Sequence, residues 1–230
     1  MLIELKDIWK VYIMGKDMEI QALKAVNLGI EEGEFISVAG PSGSGKTTLL
    51  NIIGLIDNIS RGRLVLDGME IKNKTRQELA KLRREYIGFV FQSLNLLPVL
   101  NVFENVELPL IISEKRISKA ERKDLVNNLL EEVGLAERKK HIPAELSGGQ
   151  QQRVAIARAL VTSPRIVVAD EPTANLDSDT GDKILKLMKK INKEEKTTFV
   201  FSTHDPGIWQ MADHVVFLHD GSIKSEDKKL

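Results

Sequence analysis

The chain has 230 residues, enough for one large globular domain or for a core with a sizeable insertion. Hydrophobic residues make up 42% and charged residues 29%, the balance of an ordinary globular protein and not of a disordered or fibrous one. Lys plus Arg number 33 and Asp plus Glu 33, so no net field gathers phosphate backbones or anionic lipid; with no cysteine there is no disulfide framework and no cysteine zinc site, which suits a reducing cytosol.

Met1 to Lys10 already carries Glu4, Lys6 and Asp7 and lacks the apolar stretch of a signal peptide, so the chain is expected to stay inside the cell. Leu2 to Tyr12 and Ile20 to Ile30 alternate imperfectly between apolar and polar residues and read as strands. Phe35 to Ala39 is short and almost wholly apolar, as in a strand covered on both faces of a parallel sheet, although periodicity alone also admits a short buried helix. It runs into Gly40-Pro41-Ser42-Gly43-Ser44-Gly45-Lys46-Thr47 and then into an apolar helix, Thr48 to Ile53. These glycines let the chain curl until backbone N–H groups and the helix N-terminus face a bound phosphate. In this spacing Lys46 would reach the β and γ phosphates and Thr47 would offer its hydroxyl to magnesium, so the segment predicts nucleotide binding.

Arg63 to Leu66 is an apolar run closed by the turn Asp67-Gly68. Ile87 to Phe91 repeats the buried-strand pattern and ends at Gln92. Tyr86 to Phe103 holds no charged residue, yet Gln92, Ser93, Asn95, Pro98 and Asn101 make it unfit for hydrocarbon, where unsatisfied polar groups are costly. Any membrane contact is expected through a partner. Ser118 to Val133 and Gln150 to Val161 carry helical spacing, with Leu125, Leu129 and Val133 as one stripe and Val154, Ala157 and Val161 as another, so Ser93 to Val161 reads as a mainly helical insertion.

Ile166 to Ala169 is a third buried strand and ends in Asp170 and Glu171. Adjacent carboxylates point in different directions: Asp170 would hold magnesium through water, and Glu171 would orient or deprotonate the attacking water. A helix begins near Ser178 and runs through Ile184, Leu185, Leu187, Met188 and Ile191, with Asp177 or Ser178 at its cap. Thr198 to Phe201 is the fourth buried strand, and His204 beyond it would donate to the γ-phosphate oxygens or fix the water and Glu171. The charged residues Ser225 to Leu230 are expected to fray. Polar chemistry therefore follows all four buried strands, and in open α/β sheets such strand ends share one crevice.

Leu146-Ser147-Gly148-Gly149-Gln150, followed by Gln151 to Leu160, resembles the signature sequence of ATP-binding-cassette ATPases, and it lies between a phosphate loop and Asp170-Glu171 as in that family. Physically, Ser147 and two glycines ahead of a helix make a second anion site from free N–H groups and the positive dipole end. The resemblance covers essentially the whole chain. It implies an α/β fold: a P-loop NTPase core with a mainly parallel sheet, an N-terminal antiparallel β subdomain and an inserted α-helical subdomain. Residues 1–92 and 162–230 would form the ATP-binding core and 93–161 the helical signature subdomain of one nucleotide-binding domain.

The same resemblance implies ATP and Mg2+ as cofactors. Gly40, Pro41, Ser42, Gly43, Ser44, Gly45, Lys46, Thr47 and Thr48 would hold the phosphates, with Thr47, Gln92 and Asp170 at the metal and Lys46, Gln92, Glu171 and His204 in catalysis. Tyr12 would stack on adenine, Gln92 would sense magnesium and the γ-phosphate, and Asn175-Leu176-Asp177 would link two sites across a dimer. That dimer is a head-to-tail homodimer around two ATP molecules, in which Ser147, Gly148, Gly149 and Gln150 of one copy meet the γ-phosphate held by the other.

Ala22-Leu23-Lys24, Asn51-Ile52-Ile53-Gly54 and Asn105-Val106-Glu107-Leu108-Pro109-Leu110 resemble the lipoprotein-release, macrolide-efflux and antimicrobial-peptide-export group. The expected role is an ATPase subunit driving a separate transmembrane permease in efflux or lipoprotein and peptide handling, cytoplasmic and peripheral on the inner face of the membrane, with no nucleic-acid partner. Ser93 to Phe103 lies where that family receives the permease's coupling helix. A cassette acting on DNA or ribosomes would usually bring tandem cassettes or long coiled-coil insertions, which these residues lack. A non-hydrolysing module is opposed by the intact Lys46, Asp170, Glu171 and His204.

Overall fold

Alternation along the buried strands decides the layering. In β3 (Phe35–Ala39), Phe35 and Ala39 pack into one core while Ile36 and Val38 pack into another. The same split recurs in β7 (Ile166–Ala169), where Ile166 and Val168 go one way and Val167 and Ala169 the other. A strand with both faces buried has no polar side to show, which is why these segments read as apolar runs. The computed structural model describes residues 1–15, 18–113, 117–174 and 176–229, and in it β3 and β7 belong to a six-stranded sheet. Its order is β10 (Ser222–Lys228), β9 (His214–His219), β3, β8 (Thr198–Thr203), β7, β6 (Ile87–Val90). All neighbours are parallel except the β9–β10 hairpin.

A second, antiparallel sheet has the order β2 (Met18–Ile30), β1 (Ile3–Met14), β4 (Arg61–Leu66), β5 (Met69–Glu70). One core joins the two sheets: Leu5, Ile8 and Leu64 from the antiparallel sheet and Val38, Val168 and Val200 from the parallel one meet Leu49, Leu50, Ile52 and Ile53 of α1 (Lys46–Ile53). The helix that opens the phosphate loop is thereby held between two sheets. On the far side of the parallel sheet, α6 (Ser178–Glu195) and the inner face of α5 (Gly148–Leu160) cover Phe35, Phe199 and Phe201, the Phe199 ring lying 5.6 Å and the Phe201 ring 5.0 Å from that of Phe35.

The insertion forms its own core from α3 (Val102–Ile112), α4 (Lys119–Glu132) and the outer face of α5. Val154, Ala157 and Val161 are buried there as the sequence predicts. The α4 stripe differs. Val126, Leu130 and Val133 are buried, whereas Leu125 is 39% exposed and Leu129 only partly covered. The buried face is rotated by one residue because α3 meets α4 there, a tertiary choice that local spacing does not contain.

Three further elements depart from the sequence reading. The C-terminal segment expected to fray is strand β10 through Lys228, paired with β9 from Ser222↔His219 to Lys228↔His214; Leu230 lies outside the described residues. Charge alone suggested a tail, but this edge strand needs only one neighbour and leaves its charged side chains in solvent. β9 itself was missed, although the run His214 to His219 followed by Asp220-Gly221 is a hairpin signal. So was α2 (Arg76–Tyr86), which buries only Leu79 but starts with a capping box between Thr75 and Glu78.

The hairpin's far end carries a charge cluster. His214 is 2% exposed, with Nδ1 3.7 Å from Glu34 Oε2 and Nε2 3.2 Å from Glu226 Oε2, and Lys228 also pairs with Glu34. Burial alone would raise the Glu34 carboxyl; the nearby His214, Lys228 and the Glu31 N–H outweigh it and hold its pKa at about 2. The nearby Glu34 carboxylate in turn raises His214, against burial and with help from Glu226. Glu34 therefore contributes fully above its ordinary value of 4.5 and loses the contribution as pH falls toward 2. His214 contributes fully below 6.5 and loses it as pH rises through its folded value. Glu34→Gln should thus cost about 2 kcal/mol of unfolding free energy near pH 5.5 and less at both pH 3 and pH 8.5, as read from guanidinium titrations.

Candidate nucleotide site

The sheet brings β3, β8, β7 and β6 side by side, with Ala39 level with Thr203, and Ala169 level with both Phe201 and Val90. Their C-terminal ends open on one cleft of about 770 Å³, lined by Ser42, Gly43, Gly45, Lys46, Thr47, Thr48, Gln92, Asp170, Glu171 and His204. All four strand ends singled out in the sequence thus meet.

The loop before α1 is shaped by its glycines. Gly40, Gly43 and Gly45 have φ of 149°, 77° and 104°. A Cβ on Gly40 would stand 2.1 Å from the Leu218 carbonyl oxygen, and one on Gly45 would stand 2.6 Å from that of Ala22, so at both positions conformation and space demand glycine. Gly45 supplies no side-chain cap to α1, which leaves the first-turn N–H groups directed at the cleft. The buried Lys46 ammonium donates to the Gly40 and Pro41 carbonyls at 2.9 Å each. Gly40, Pro41 and Ser44 do not line the cleft; the first two hold Lys46 from behind, and the Ser44 side chain is buried beneath the loop.

Opposite this loop, the Thr47 hydroxyl donates to Asp170 Oδ2 at 2.9 Å. Ser202 on β8 donates from Oγ to Asp170 Oδ1 at 2.6 Å and accepts from the Glu171 N–H at 2.8 Å, so one hydroxyl fixes both acids. Glu171 has φ of 46°, a conformation costing ~1–3 kcal/mol for a non-glycine residue. Its carboxylate lies 3.1 Å from His204 Nδ1 at Oε1, and Gln92 Nε2 donates to Oε2 at 3.4 Å. Asp170 and Glu171 face different partners, as adjacent positions require. Thr47 and Asp170 together present hard oxygen donors, which suits Mg2+, an ion that takes one or two protein oxygens and completes its shell with phosphate and water.

Other predicted residues lie elsewhere. Ser147, Gly148, Gly149 and Gln150 line no part of the cleft. Ser147 caps α5 in a capping box with Gln150, with Ser147 and Gly148 exposed. A Cβ on Gly149 would stand 2.4 Å from the Thr180 methyl, so α5 and α6 start in contact. Asp177 caps α6 through the Thr180 N–H at 3.0 Å, and the Thr180 hydrogen bonds lower its pKa. Asn175 falls outside the described residues. Tyr12 pairs across the β1–β2 ladder with Ile20, which lines the cleft, but Tyr12 itself does not. Its hydroxyl donates to Asp57 at 2.7 Å, Lys10 stands 4.7 Å from its ring centre, and burial followed by the Asp57 bond raises its pKa. Ser202 was missed in the sequence, where a serine late in a buried run was the available signal.

This arrangement, a phosphate-cradling strand–loop–helix beside an acid pair on a neighbouring parallel strand, with a helical insertion between them, defines a P-loop ATPase cassette. A family model described as ABC transporter matches residues 23–174. The chain belongs to the ABC transporter family, as an ATP-binding, ATP-hydrolysing subunit. It is 49% identical over 99% of its length to an uncharacterized ABC transporter ATP-binding protein of Methanocaldococcus jannaschii, of which it covers 97%. Against the macrolide export ATP-binding/permease protein MacB of Bdellovibrio bacteriovorus it is 47% identical over 99% of the chain but only 34% of that longer protein. A solved dimeric structure of the same M. jannaschii cassette, in a post-hydrolysis state bound to ADP and Pi, superposes with a TM-score of 0.91 at 47% identity over 98% of both chains.

Ser202→Ala removes the one hydroxyl that orients both acids without touching the phosphate loop. Steady-state phosphate release should fall about 10–100-fold while the ATP KM changes less than about 3-fold.

Proposed function

We propose that this chain hydrolyses ATP as a head-to-tail homodimer around two ATP molecules and thereby drives a separate transmembrane permease. One observation carries the dimer. Ser147 and Gly148 sit exposed at the N-terminus of α5, shaped to receive an anion, yet they contribute nothing to the cleft of their own chain. A second copy whose phosphate loop faces them would complete both sites at once. The dimeric relative bound to ADP and Pi supports the same reading.

In the proposed cycle Lys46 leaves the Gly40 and Pro41 carbonyls for the β and γ phosphates. Thr47, Asp170 and Gln92 would hold Mg2+, which would supply positive charge to neutralise that developing on the phosphates. Glu171 accepts a proton from water as that oxygen attacks the γ-phosphorus and the bond to the ADP oxygen breaks. His204 and Gln92, which already contact the two Glu171 oxygens, keep the carboxylate aimed at the water. Tyr12 would offer its ring to adenine, and Asp177 would reach toward the partner's site.

Two adjoining hollows of about 560 and 310 Å³ share Phe89 and Phe91, whose rings stack at 5.4 Å, and extend from Ile56 to Pro109 and Ile112. Val99 nearby in sequence is 84% exposed. A groove of this composition fits an apolar helix of the permease. Among the described residues no helix is long and apolar enough to cross a membrane, and the membrane contact, on the cytoplasmic face, would run through that partner. Relatives named for macrolide export favour efflux or lipoprotein and peptide handling.

Glu171→Gln keeps the side chain's size and removes the proton acceptor. With ATP and Mg2+ it should elute as a stable dimer in size-exclusion chromatography with light scattering and release phosphate at least ~100-fold more slowly than the parent. A monomer under those conditions, or near-normal turnover, contradicts the proposal.

A further inference from the structure

The loop after Gln92 is held in an unfavourable shape. Leu94 and Asn95 both have positive φ, 57° and 49°, a left-handed conformation that non-glycine residues hold only where the surroundings impose it. What imposes it is Arg158, in the last turn of α5: Nη1 donates to the Asn95 carbonyl at 2.6 Å and Nη2 to the Leu94 carbonyl at 2.5 Å. The left-handed turn presents two consecutive carbonyls side by side, and the planar fork of a guanidinium fits such a pair as an ammonium cannot. Arg158 is half-buried, and burial lowers its pKa.

The same turn of α5 lies directly on the strand that leads into this loop. A Cβ on Gly88 in β6 would stand 2.2 Å from the Ala159 carbonyl oxygen, so helix and strand touch backbone to backbone. Three places therefore converge on Arg158: the Gln92 loop, the helix that starts at Ser147, and the hollow containing Phe89, Phe91 and Ile112. From Gly148 to Leu160 the helix has 13 residues, a rod about 20 Å long.

We propose that Arg158 is a positioning residue that locks the Gln92 loop to α5, so that any movement of Gln92 at the cleft is delivered to Ser147, Gly148 and Gly149 at the other end of the rod. The inference rests on the ATP-bound dimer proposed above. It adds a physical link between sensing the nucleotide in one's own cleft and presenting the α5 N-terminus to the partner's. It also ties both to the hollow that Phe91, Ile112 and Arg158 line together: a partner pressing there presses on the same guanidinium.

The test uses the Glu171→Gln chain with ATP and Mg2+, with and without Arg158→Lys, which keeps the charge and most of the packing but loses the fork. Dimerisation by light scattering should require about 10-fold more protein in the Lys variant, while ATP affinity of the monomer, read at low protein concentration by fluorescence of a labelled ATP, stays within about 3-fold. Adding Gln92→Ala to both chains should shrink the Arg158 effect below about 2-fold, because the lock would then have nothing to transmit. Unchanged dimerisation in the Lys variant overturns the inference. So does an equal penalty with and without Gln92, or a loss of ATP affinity matching the loss of dimerisation, since either describes an arginine that only supports the fold. If Glu171→Gln alone fails to dimerise, the dimer falls and the inference falls with it.

Discussion

The first turn of α1 carries backbone N–H groups that no side chain caps, and the account depends on where those groups point. A helix end left this way inside a fold requires a partner, and an anion is the partner its dipole favours. Two features keep the end available. Leu49, Leu50, Ile52 and Ile53 anchor the helix between two sheets, and Gly40 and Gly45 let the loop curl where the Leu218 and Ala22 carbonyls leave no room for a side chain. The antiparallel sheet is thus more than an appendage, since β2 supplies the Ala22 backbone against which the loop is pressed.

The cleft's polar groups satisfy one another. Lys46 rests on two carbonyls, Thr47 on Asp170, Asp170 on Ser202, and Glu171 on His204 and Gln92. Lys46, Asp170 and Glu171 each have hydrogen-bond partners in the cleft, which lowers the cost of holding their charges there. In the cycle proposed above each of these bonds would have a successor: phosphate oxygens for Lys46, the metal for Thr47 and Asp170, water for Glu171. Binding would then exchange partners rather than create new charge. Glu171, at φ 46°, is held in this conformation at the strand end by its bonds to Ser202, His204 and Gln92.

Much of this was legible in the sequence because the relevant signals are local. A glycine loop between an apolar run and an apolar helix, or an acid pair after four buried residues, needs no tertiary information to be recognised. What was missed depends on neighbours. The buried stripe of α4 is Val126, Leu130 and Val133 because α3 packs there, and a helix with several apolar residues offers more than one candidate face. Ser225 to Lys228 forms an edge strand whose charged side chains mimic a tail, and its order comes from β9. Ser202 was hidden for the opposite reason: a polar residue inside an apolar strand is informative only once β7 and β8 are known to be adjacent. The Tyr12 hydroxyl is committed to Asp57, a partner 45 residues away that local sequence does not announce.

The most direct measurement is a crystal structure of this chain with ATP and Mg2+ on the Glu171→Gln background. The account predicts phosphate density at the N-terminus of α1, Lys46 Nζ moved from the Gly40 and Pro41 carbonyls onto phosphate oxygens, and the Thr47–Asp170 hydrogen bond replaced by metal contacts. Density elsewhere, or Lys46 still on its two carbonyls beside bound nucleotide, would contradict it.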